Sequence, residues 1–371
     1  MSKTLQDYAT LINDTIQSNE INHYITTDNM CQNLGGIDTF KNINIPQGKV
    51  RSFQKDDVLL SNIRLYFRKV YRAKQKGGCS SDVLVFRAKH IDSATLFAIL
   101  SSQIFTDYAC SGSQGSKMPR GNKTHMMDFK IPTINFTIAK IFNSIQNKIE
   151  NNHKINELLH KILELLYEQY FVRFDFLDEN NKPYQTSGGK MKFSKELNRL
   201  IPNDFEVKTL GELTQLKVGN KNANHSSNQG KYPFFTCSNN PLRCETYQFE
   251  GKHIIISGNG NFYVTHYDGK FDAYQRTYII NPNNPNHYVL IYLFVKSYTN
   301  YLKLQSRDSI IKFITKSDIE NIKIVLPNLK TYAKWNNVLK IIENNNQSTQ
   351  TLTALRDFLL PLLLKQQVKP Q

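Results

Sequence analysis

Catalysis needs nucleophiles, acids, bases or metal ligands in workable company, and this sequence scatters them. Glu250-Gly251-Lys252 has the Glu-x-Lys spacing of a nuclease centre, but no Asp lies between Asp204 and Glu250 to complete it. Gly188-Gly189-Lys190-Met191 lacks both the leading Gly and the Ser or Thr of a phosphate-cradling loop. Gly258-Asn259-Gly260 is a lone Gly-x-Gly whose following residues do not open a helix, which makes it weak as a nucleotide turn. Asn239-Asn240-Pro241-Leu242 lacks the second Pro and the aromatic of an adenine-methyltransferase loop. His23, His125 and His153 have no metal-ligand spacing. The five Cys, irregularly spaced, fit reduced thiols and neither a disulfide framework nor a Cys-x-x-Cys zinc site. The expectation is a chain that does no chemistry, with no metal and no cofactor of its own. An enzyme of unrecognised type remains the alternative.

What the residues can do is bind. The formal charge is +16, and it divides evenly: residues 1–200 hold 27 Lys+Arg against 19 Asp+Glu, and residues 201–371 hold 20 against 12, +8 each. Such an excess favours a polyanion, because neutralising phosphates releases counterions. An AT-rich genome, which inflates Lys and Asn, would also make a chain basic. In the second half, Ser257-Gly258-Asn259-Gly260-Asn261 joins two expected strands. Asn259 and Asn261 can pair with adenine edges, although Asn-Gly also makes ordinary hairpin turns. Tyr263, His266, Lys270 and Arg276 are expected around that loop, with Arg276 as a guanine or phosphate ligand. Lys217, Lys221 and Asn224 lie in a polar loop that is either solvated or phosphate-facing, and Lys312 adds a further basic position. In the first half Asn62, Arg64, Tyr66, Arg68 and Lys69 occupy the corresponding place, with Lys117, Arg120 and Lys123 as a second basic cluster. A solvated basic face would account for many of these one by one. Met1–Thr10 lacks an apolar signal region and no apolar run is long enough to cross a bilayer, so a cytoplasmic chain without membrane contact is expected.

The elements that must position these residues occur twice. Lys117 and Pro132 are followed by Lys312 and Pro327 at the same offset of 195 (312 − 117 and 327 − 132). Val58–Asn62 matches Ile254–Gly258, Thr4-Leu5 matches Thr209-Leu210, and Ile149–Asn152 matches Ile342–Asn345. Strands are expected at Asp57–Ile63, Asp82–Arg87, His253–Ser257, Tyr263–Tyr267 and Gln275–Ile280, with others around Ile43, Ile45 and Val50-Arg51. Helical spacing marks Ala94–Tyr108 and Tyr288–Thr299. Each half is thus a mixed globule with a mainly antiparallel sheet, closed by Pro132 or Pro327 and followed by a long helix. The first helix carries a seam of Ile138, Ile141, Ile145, Lys148, Asn152, Ile155, Leu159, Ile162 and Leu166, and the second one of Trp335, Val338, Ile342, Leu352, Leu355, Leu359 and Leu362. The fold class expected is α+β: two α/β globules related by pseudo-twofold symmetry, separated by two long antiparallel coiled-coil helices. Each helix packing on its own globule is the alternative. The boundaries read as 1–133 for the first globule, 134–177 for its helix, 178–204 for a polar connector, 205–328 for the second globule and 329–366 for its helix. The helix faces with Leu158, Leu163, Leu165, Tyr167, Tyr170 and Leu359 are expected to stay partly apolar for a partner.

The ordered set of motifs resembles the DNA-specificity subunit of Type I restriction–modification enzymes. It comprises Lys117-Met118-Pro119-Arg120, Leu165-Leu166-Tyr167 with Tyr170-Phe171-Val172, and Leu200-Ile201-Pro202 followed by Val207 and Thr209–Leu213. Gly230–Thr236, Ile254–Phe262, Gly269-Lys270-Phe271 and Ala273–Arg276 complete it. It covers nearly the whole chain, and no single motif decides it. The resemblance implies two target-recognition domains that each read one part of a split, asymmetric site on double-stranded DNA. It implies helices that set the distance between the parts and dock two methyltransferase (modification) subunits, with two motor-nuclease (restriction) subunits completing the complex. S-adenosylmethionine, ATP and magnesium would bind those partners. Phe205 stands where the family usually has Trp, Gln6 replaces the Gly found at Gly211, and the first repeat begins almost at its first strand. The rival readings are the specificity subunit of a related system without the motor, and a coiled-coil scaffold that binds only protein.

Overall fold

The computed structural model describes residues 3–38, 43–131, 134–227, 229–305, 312–327, 332 and 334–364. Pro132, expected to close the first globule, lies outside them. Two compact units emerge: Met1–Ile155 with Asn345–Gln371, and Asn156–Asn344. Among the described residues no helix is long and apolar enough to cross a membrane.

In the first unit the Asp7 carboxylate takes the Thr4 backbone N–H at 2.7 Å, starting the one-turn helix α1 (Leu5–Tyr8). Strands β1 (Ala9–Ile12), β2 (Thr15–Gln17), β3 (Tyr24–Ile25), β4 (Lys49–Phe53), β5 (Val58–Ser61), β6 (Val70–Arg72), β7 (Gly77–Cys79) and β8 (Val83–Ala88) follow. They form two four-stranded sheets, ordered β1-β8-β5-β6 and β2-β4-β7-β3. The central strands β5 and β8 bury Val58, Leu59 and Leu60 and Val83 to Phe86, so they read as continuous apolar runs rather than alternating ones. Ile43 and Ile45 stay outside any strand. The single helix expected over Ala94–Tyr108 is two, α2 (Ser93–Leu100) and α3 (Gln103–Ser111). Ser102 takes extended angles between them and its hydroxyl accepts the Phe105 N–H at 3.2 Å, so a cap outcompetes helix continuation. Helix α4 (Lys123–Met127) precedes the long α5 (Phe136–Tyr167), which begins in this unit and ends in the other.

The second unit repeats that plan. The connector is not merely polar: β9 (Met191–Ser194) and β10 (Arg199–Pro202) form a hairpin. Phe205 stacks on Phe176 at 5.4 Å and meets Phe174 edge-on at 5.9 Å, filling the place where the resemblance leads one to expect Trp. After β11 (Glu206–Thr209), Glu212 takes the Thr209 N–H at 2.6 Å and starts α6 (Leu210–Leu213), as Asp7 does for α1. Then come β12 (Thr214–Val218), β13 (Tyr232–Phe235), β14 (Leu242–Cys244), β15 (Lys252–Ser257), β16 (Val264–Asp268), β17 (Asp272–Ala273) and β18 (Thr277–Pro282). The main sheet is ordered β12-β18-β15-β16, strand for strand the order of β1-β8-β5-β6, and β14-β13-β17 is a smaller second sheet. Helix α7 (Tyr288–Gln305) covers the sheet, α8 (Lys316–Glu320) follows, and β19 (Lys323–Leu326) pairs antiparallel with β11. Helix α9 (Trp335–Leu359) starts here and returns to the first unit.

Both long helices carry heptads, at a register one residue away from part of the expected seam. On α5 the strictly spaced Phe142, Ile149, Asn156 and Leu163 are buried, and Ile145 and Asn152 with them. Ile141, Ile155 and Ile162, expected inside, are 42–46% exposed. On α9 the buried series is Trp335, Ile342, Thr349, Arg356 and then Leu363, while Leu355 and Leu362 are exposed. An apolar count passes over Asn156, Thr349 and Arg356, and these polar residues hold seam positions because each finds partners. In the first unit Asn152 Nδ2 donates to Thr349 Oγ1 at 3.1 Å, and Arg356 Nη1 donates to Gln146 Oε1 at 3.2 Å and the Asn33 carbonyl at 3.3 Å. In the second, Asn156 Nδ2 donates to the Ile342 carbonyl at 3.4 Å. Asn135–Leu363, Gln146–Arg356 and Asn152–Thr349 run in opposite directions along the chain, so these segments are antiparallel.

Two expected surface residues lie inside the second unit. Tyr167 and Leu163 pack in its core, with Tyr167 stacked on Phe171 at 5.5 Å, so the expected docking face loses both. His266 points away from the loop it was expected to line. It packs edge-on against Tyr292 at 5.0 Å, beside His160 of α5, Glu343 of α9 and the Lys252 and Lys296 ammonium groups. Burial, then the charges of His160, Lys252 and Lys296, push its pKa down to about 3. Burial also lowers His160.

Two expectations follow. Phe142→Ala, which empties a site against Phe97 in the first unit's core, costs about 3–5 kcal/mol of stability. Ile141→Ala, one residue away, costs less than about 1 kcal/mol, as denaturant titration of each variant checks; equal costs would put the seam at the wrong register. His266 stays neutral when folded but takes a proton below about 6.5 when unfolded, so the unfolded chain binds more protons in that window. Stability therefore falls as pH drops from 7 to 5, and His266→Gln flattens that slope in thermal melts; parallel slopes for the two proteins would disprove it.

Candidate nucleic-acid interface

The expected basic residues of the first unit gather where β5 ends. Past Ser61 the chain crosses the segment 114–122: Arg64 N–H donates to the Pro119 carbonyl at 2.9 Å and Gly121 N–H to the Asn62 carbonyl at 3.1 Å. Asn62 N–H reaches back to the Asp82 carbonyl at the start of β8, at 2.8 Å. Arg64 Nη2 donates to the Lys117 carbonyl at 3.2 Å, and Arg120 Nη2 pairs with Asp82 Oδ1 at 3.1 Å. Residues 65–67 form a 3₁₀ turn between Arg64 and Arg68, both left-handed at φ 49°, rather than continuing a strand. Within it Leu65 is buried and Tyr66 is 52% exposed. Lys117, Arg120 and Lys123 are exposed. The Asn62 amide oxygen is buried with no hydrogen-bond partner among the described residues. Lys69 departs from the group, its ammonium donating to the Thr27 carbonyl.

The second unit builds the same crossing. Gly258 N–H donates to the Arg276 carbonyl at 2.7 Å, Ile314 N–H to the Gly258 carbonyl at 3.0 Å, and Gly260 N–H to the Lys312 carbonyl at 2.8 Å. Gly258 thus stands for Asn62, Arg276 for Asp82, Phe313 for Arg120 and Lys312 for Pro119. Lys312 therefore does not correspond to Lys117: the hydrogen bonds set the offset there at 193 (312 − 119), not 195. The Arg276 guanidinium lies over the Phe313 ring, 5.9 Å from its centre. The loop 258–263 is no tight Asn-Gly hairpin, because it is drawn out to the 312–314 segment. A Cβ at Gly258 would meet the Arg276 carbonyl oxygen at 2.6 Å, so a side chain there would force the backbone of this crossing to shift. Asn261 Nδ2 donates to the Tyr263 hydroxyl at 3.0 Å at the exposed tip. Asn259, whose amide oxygen is buried without a partner among the described residues, borders an open recess of about 450 Å³ with Cys237 and Tyr274. Lys221 sits beside it, bridged to Tyr274.

Lys270 is elsewhere. It follows β16, at the end of the β15–β16 hairpin opposite the loop, with its ammonium 4.6 Å from the Tyr247 ring centre and 3.8 Å from Glu250. The expectation that it and His266 surround residues 257–261 is therefore corrected: strand length carries one to the far end and side-chain alternation turns the other inward.

Sequence reading missed Asp82 and Phe313, the partners of the two crossing arginines; the 194-residue step from Asp82 to Arg276 (276 − 82) was the available signal. It also missed a cluster at the edge of the second unit's small sheet. His225 Nε2 lies 3.0 Å from Thr246 Oγ1 and 3.2 Å from Asp272 Oδ2, and Thr246 donates to Asp272 at 2.6 Å. The ligand atoms of His225, Cys244 and Asp272, one from each, lie within 4.8 Å of one another. The Cys244 sulfur, however, faces the Thr246 carbonyl at 3.2 Å and the Tyr232 carbonyl at 3.6 Å, and burial followed by the Asp272 charge raises its pKa. That setting suits an S–H donor, not the thiolate a metal requires, so the cluster reads as a latch holding the loop that carries Lys221.

Of the expected docking residues, Leu158 and Leu165 are 49% and 53% exposed, in line along α5 with Ile155 and Ile162. Tyr170 is half-buried against Trp335 at 5.2 Å, and Leu359 is half-buried.

Residues 202–355 match the Type I restriction modification DNA specificity domain. The Type I restriction enzyme EcoDI specificity subunit of Escherichia coli is 37% identical over 132 residues, which are 34% of this chain and 28% of that protein. The Type I restriction enzyme MjaIX specificity subunit of Methanocaldococcus jannaschii is 24% identical over 302 residues, 72% of this chain and 67% of its own length. The crystal structure of a Type I restriction–modification S subunit from M. genitalium shares the fold, with a TM-score of 0.62 over 99% of this chain and 96% of that one at 16% identity. Residues 202–355 thus match a Type I restriction modification DNA specificity domain, in a chain whose twice-built fold is shared with a solved S subunit of such a system.

Proposed function

We propose that this chain is the DNA-reading subunit of a Type I restriction–modification complex and supplies no catalytic group itself. Each unit reads one half of a bipartite, asymmetric site on double-stranded DNA. Helices α5 and α9 set the spacer between the halves and dock two methyltransferase subunits, which modify adenine. Two motor-nuclease subunits join them in the cytoplasm, and S-adenosylmethionine, ATP and magnesium are held by these partners. The working boundaries are 1–133 and 205–328 for the readers, 134–177 and 329–366 for the spacer helices and 178–204 for the connector.

The observation that carries this reading is the strand-exit crossing built twice on a chain of charge +16, with a guanidinium held by a neighbouring side chain in each copy. Asn62, Arg64, Tyr66, Lys117, Arg120 and Lys123 supply contacts for one half-site, and Lys221, Asn259, Asn261, Tyr263, Arg276 and Lys312 for the other. Amide and guanidinium groups read base edges, and the lysines hold phosphates. The exposed line of Ile155, Leu158, Ile162 and Leu165 on α5, with Leu355 and Phe358 on α9 and Leu362 in the 3₁₀ turn after it, supplies apolar surface for docking.

Co-expression with cognate modification subunits, followed by methylation-sensitive sequencing of host DNA, tests the reading. A two-part motif with a fixed non-specific spacer is expected; its absence, together with no salt-sensitive DNA retention, would leave a protein-binding scaffold. Replacing residues 205–327 with a relative's segment changes one half of the motif only, and a change in both would end the idea of independent readers. Inserting seven residues within 344–350 and seven at Asn151-Asn152 lengthens the helices by about 10 Å at ~1.5 Å per residue. The spacer then grows by about three base pairs at ~3.4 Å each, with both halves unchanged; an active complex that keeps its original spacer refutes the ruler role.

A further inference from the structure

We propose that Asp82 in the first unit and Phe313 in the second are positioning residues that turn the crossing arginines, Arg120 and Arg276, into base readers. The inference rests on the DNA-reading assignment above and goes beyond it in naming what sets specificity. Asp82 is an odd residue for a phosphate-facing surface, since its charge opposes the counterion release that drives such binding. Its carboxylate sits 3.1 Å from Arg120 Nη2, and its carbonyl takes the Asn62 N–H, so it ties the strand exit to the guanidinium. Arg120 is pinned through its backbone as well: its N–H donates to the Gln114 carbonyl at 2.8 Å and its carbonyl accepts the Gln114 N–H at 2.9 Å. The guanidinium is nevertheless 60% exposed. The ion pair with Asp82 engages Nη2 alone, leaving donors enough for the paired acceptors of a guanine edge.

An exposed ion pair by itself means little. The second unit supplies the discriminating comparison, because there the same two fold positions have exchanged chemistry. Arg276 stands where Asp82 does, and Phe313 where Arg120 does. The guanidinium now comes from the opposite strand and is held by a ring instead of a carboxylate. Charge neutrality is therefore not what the crossing keeps. At this pair of positions it keeps a restrained guanidinium, delivered from either side. Restraint is what a base contact needs, because a bidentate pair forms only from a planar fork already in place, whereas a phosphate contact tolerates a mobile charge.

The test compares wild type, Asp82→Asn, Asp82→Glu, Arg120→Lys and Phe313→Ala, each full length and co-expressed with modification subunits, by methylation-sensitive sequencing and thermal melting. Asp82→Asn and Arg120→Lys each relax one G·C position in the first unit's half-site, with discrimination falling about tenfold to a hundredfold. Asp82→Glu retains part of it, and the other half-site is unchanged. Phe313→Ala relaxes one position in the second half-site only. Salt-dependent retention of random-sequence duplex is undiminished in Asp82→Asn, which a merely structural tie would not predict. If wild type yields no bipartite motif, the DNA-reading assignment falls and this inference with it. If wild type yields the motif and both Asp82→Asn and Arg120→Lys keep it at equal stringency, the inference alone is overturned. Should Asp82→Asn melt early and methylate nowhere, Arg120→Lys decides: an unchanged motif rejects the positioning role, and a single relaxed position upholds it.

Discussion

The arrangement depends on polar groups that occupy a helical seam without being left unpaired. A long helix with strict heptads and only apolar seam residues can slide by seven and bury nearly the same surface. Asn152, Asn156, Thr349 and Arg356 remove that freedom, because a slip separates each from its hydrogen-bond partner and strands it in the interior. Arg356 shows the balance most plainly: a guanidinium 2% exposed is tolerated because Gln146, the Asn33 carbonyl and Asp357 take its donors. The Asn33 carbonyl belongs to the first unit's globule, so the same bond that fixes the helix register also fixes the helix to what it carries.

Within each unit the equivalent constraint is the crossing at the strand exit. Its backbone bonds are the same in both, from residue 62 to 82 and from 258 to 276, while the side chains differ completely. A scaffold of this kind separates two demands that compete in most binding sites. The main-chain ladder holds the loop wherever it must be, and the side chains above it are free to vary without loss of the fold. Asp7 and Glu212 at the helix starts, doing one job with different side chains, follow the same rule at the other end of the sheet.

Much of this was legible in the sequence, and the rest was hidden for identifiable reasons. The buried strands β5, β8, β15 and β18 announced themselves as apolar runs, and α7 by its spacing. The helix over Ala94–Tyr108 broke because serine can cap as readily as continue, a choice that propensity does not reveal. The seam was misplaced on alternate turns because apolar counting rewarded Ile141, Ile155 and Ile162 over Asn156 and passed over Thr349 and Arg356. The crossing arginines were visible as basic residues in loops. Their partners Asp82 and Phe313 were not, since each is unremarkable in type and lies 38 and 37 residues from the arginine it holds (120 − 82 and 313 − 276).

The duplication explains why a low-identity repeat can persist with such different surfaces. In the first unit Lys74 pairs with Glu150 of α5 at 3.3 Å, and in the second Lys252 pairs with Glu343 of α9 at 2.8 Å. Glu150 and Glu343 are 193 residues apart, the same step as Phe142 to Trp335 and Asn156 to Thr349 in the buried series (343 − 150, 335 − 142 and 349 − 156). The crossing repeats at 193 from Pro119 to Lys312 and at 196 from Asn62 to Gly258 (258 − 62), so length has been gained and lost between these fixed points. Those fixed points are backbone bonds, seam residues and helix-to-globule ion pairs, none of which requires a particular residue on the outer loops. A chain built this way can change what one unit touches while leaving the other unit, and both helices, with every bond they need.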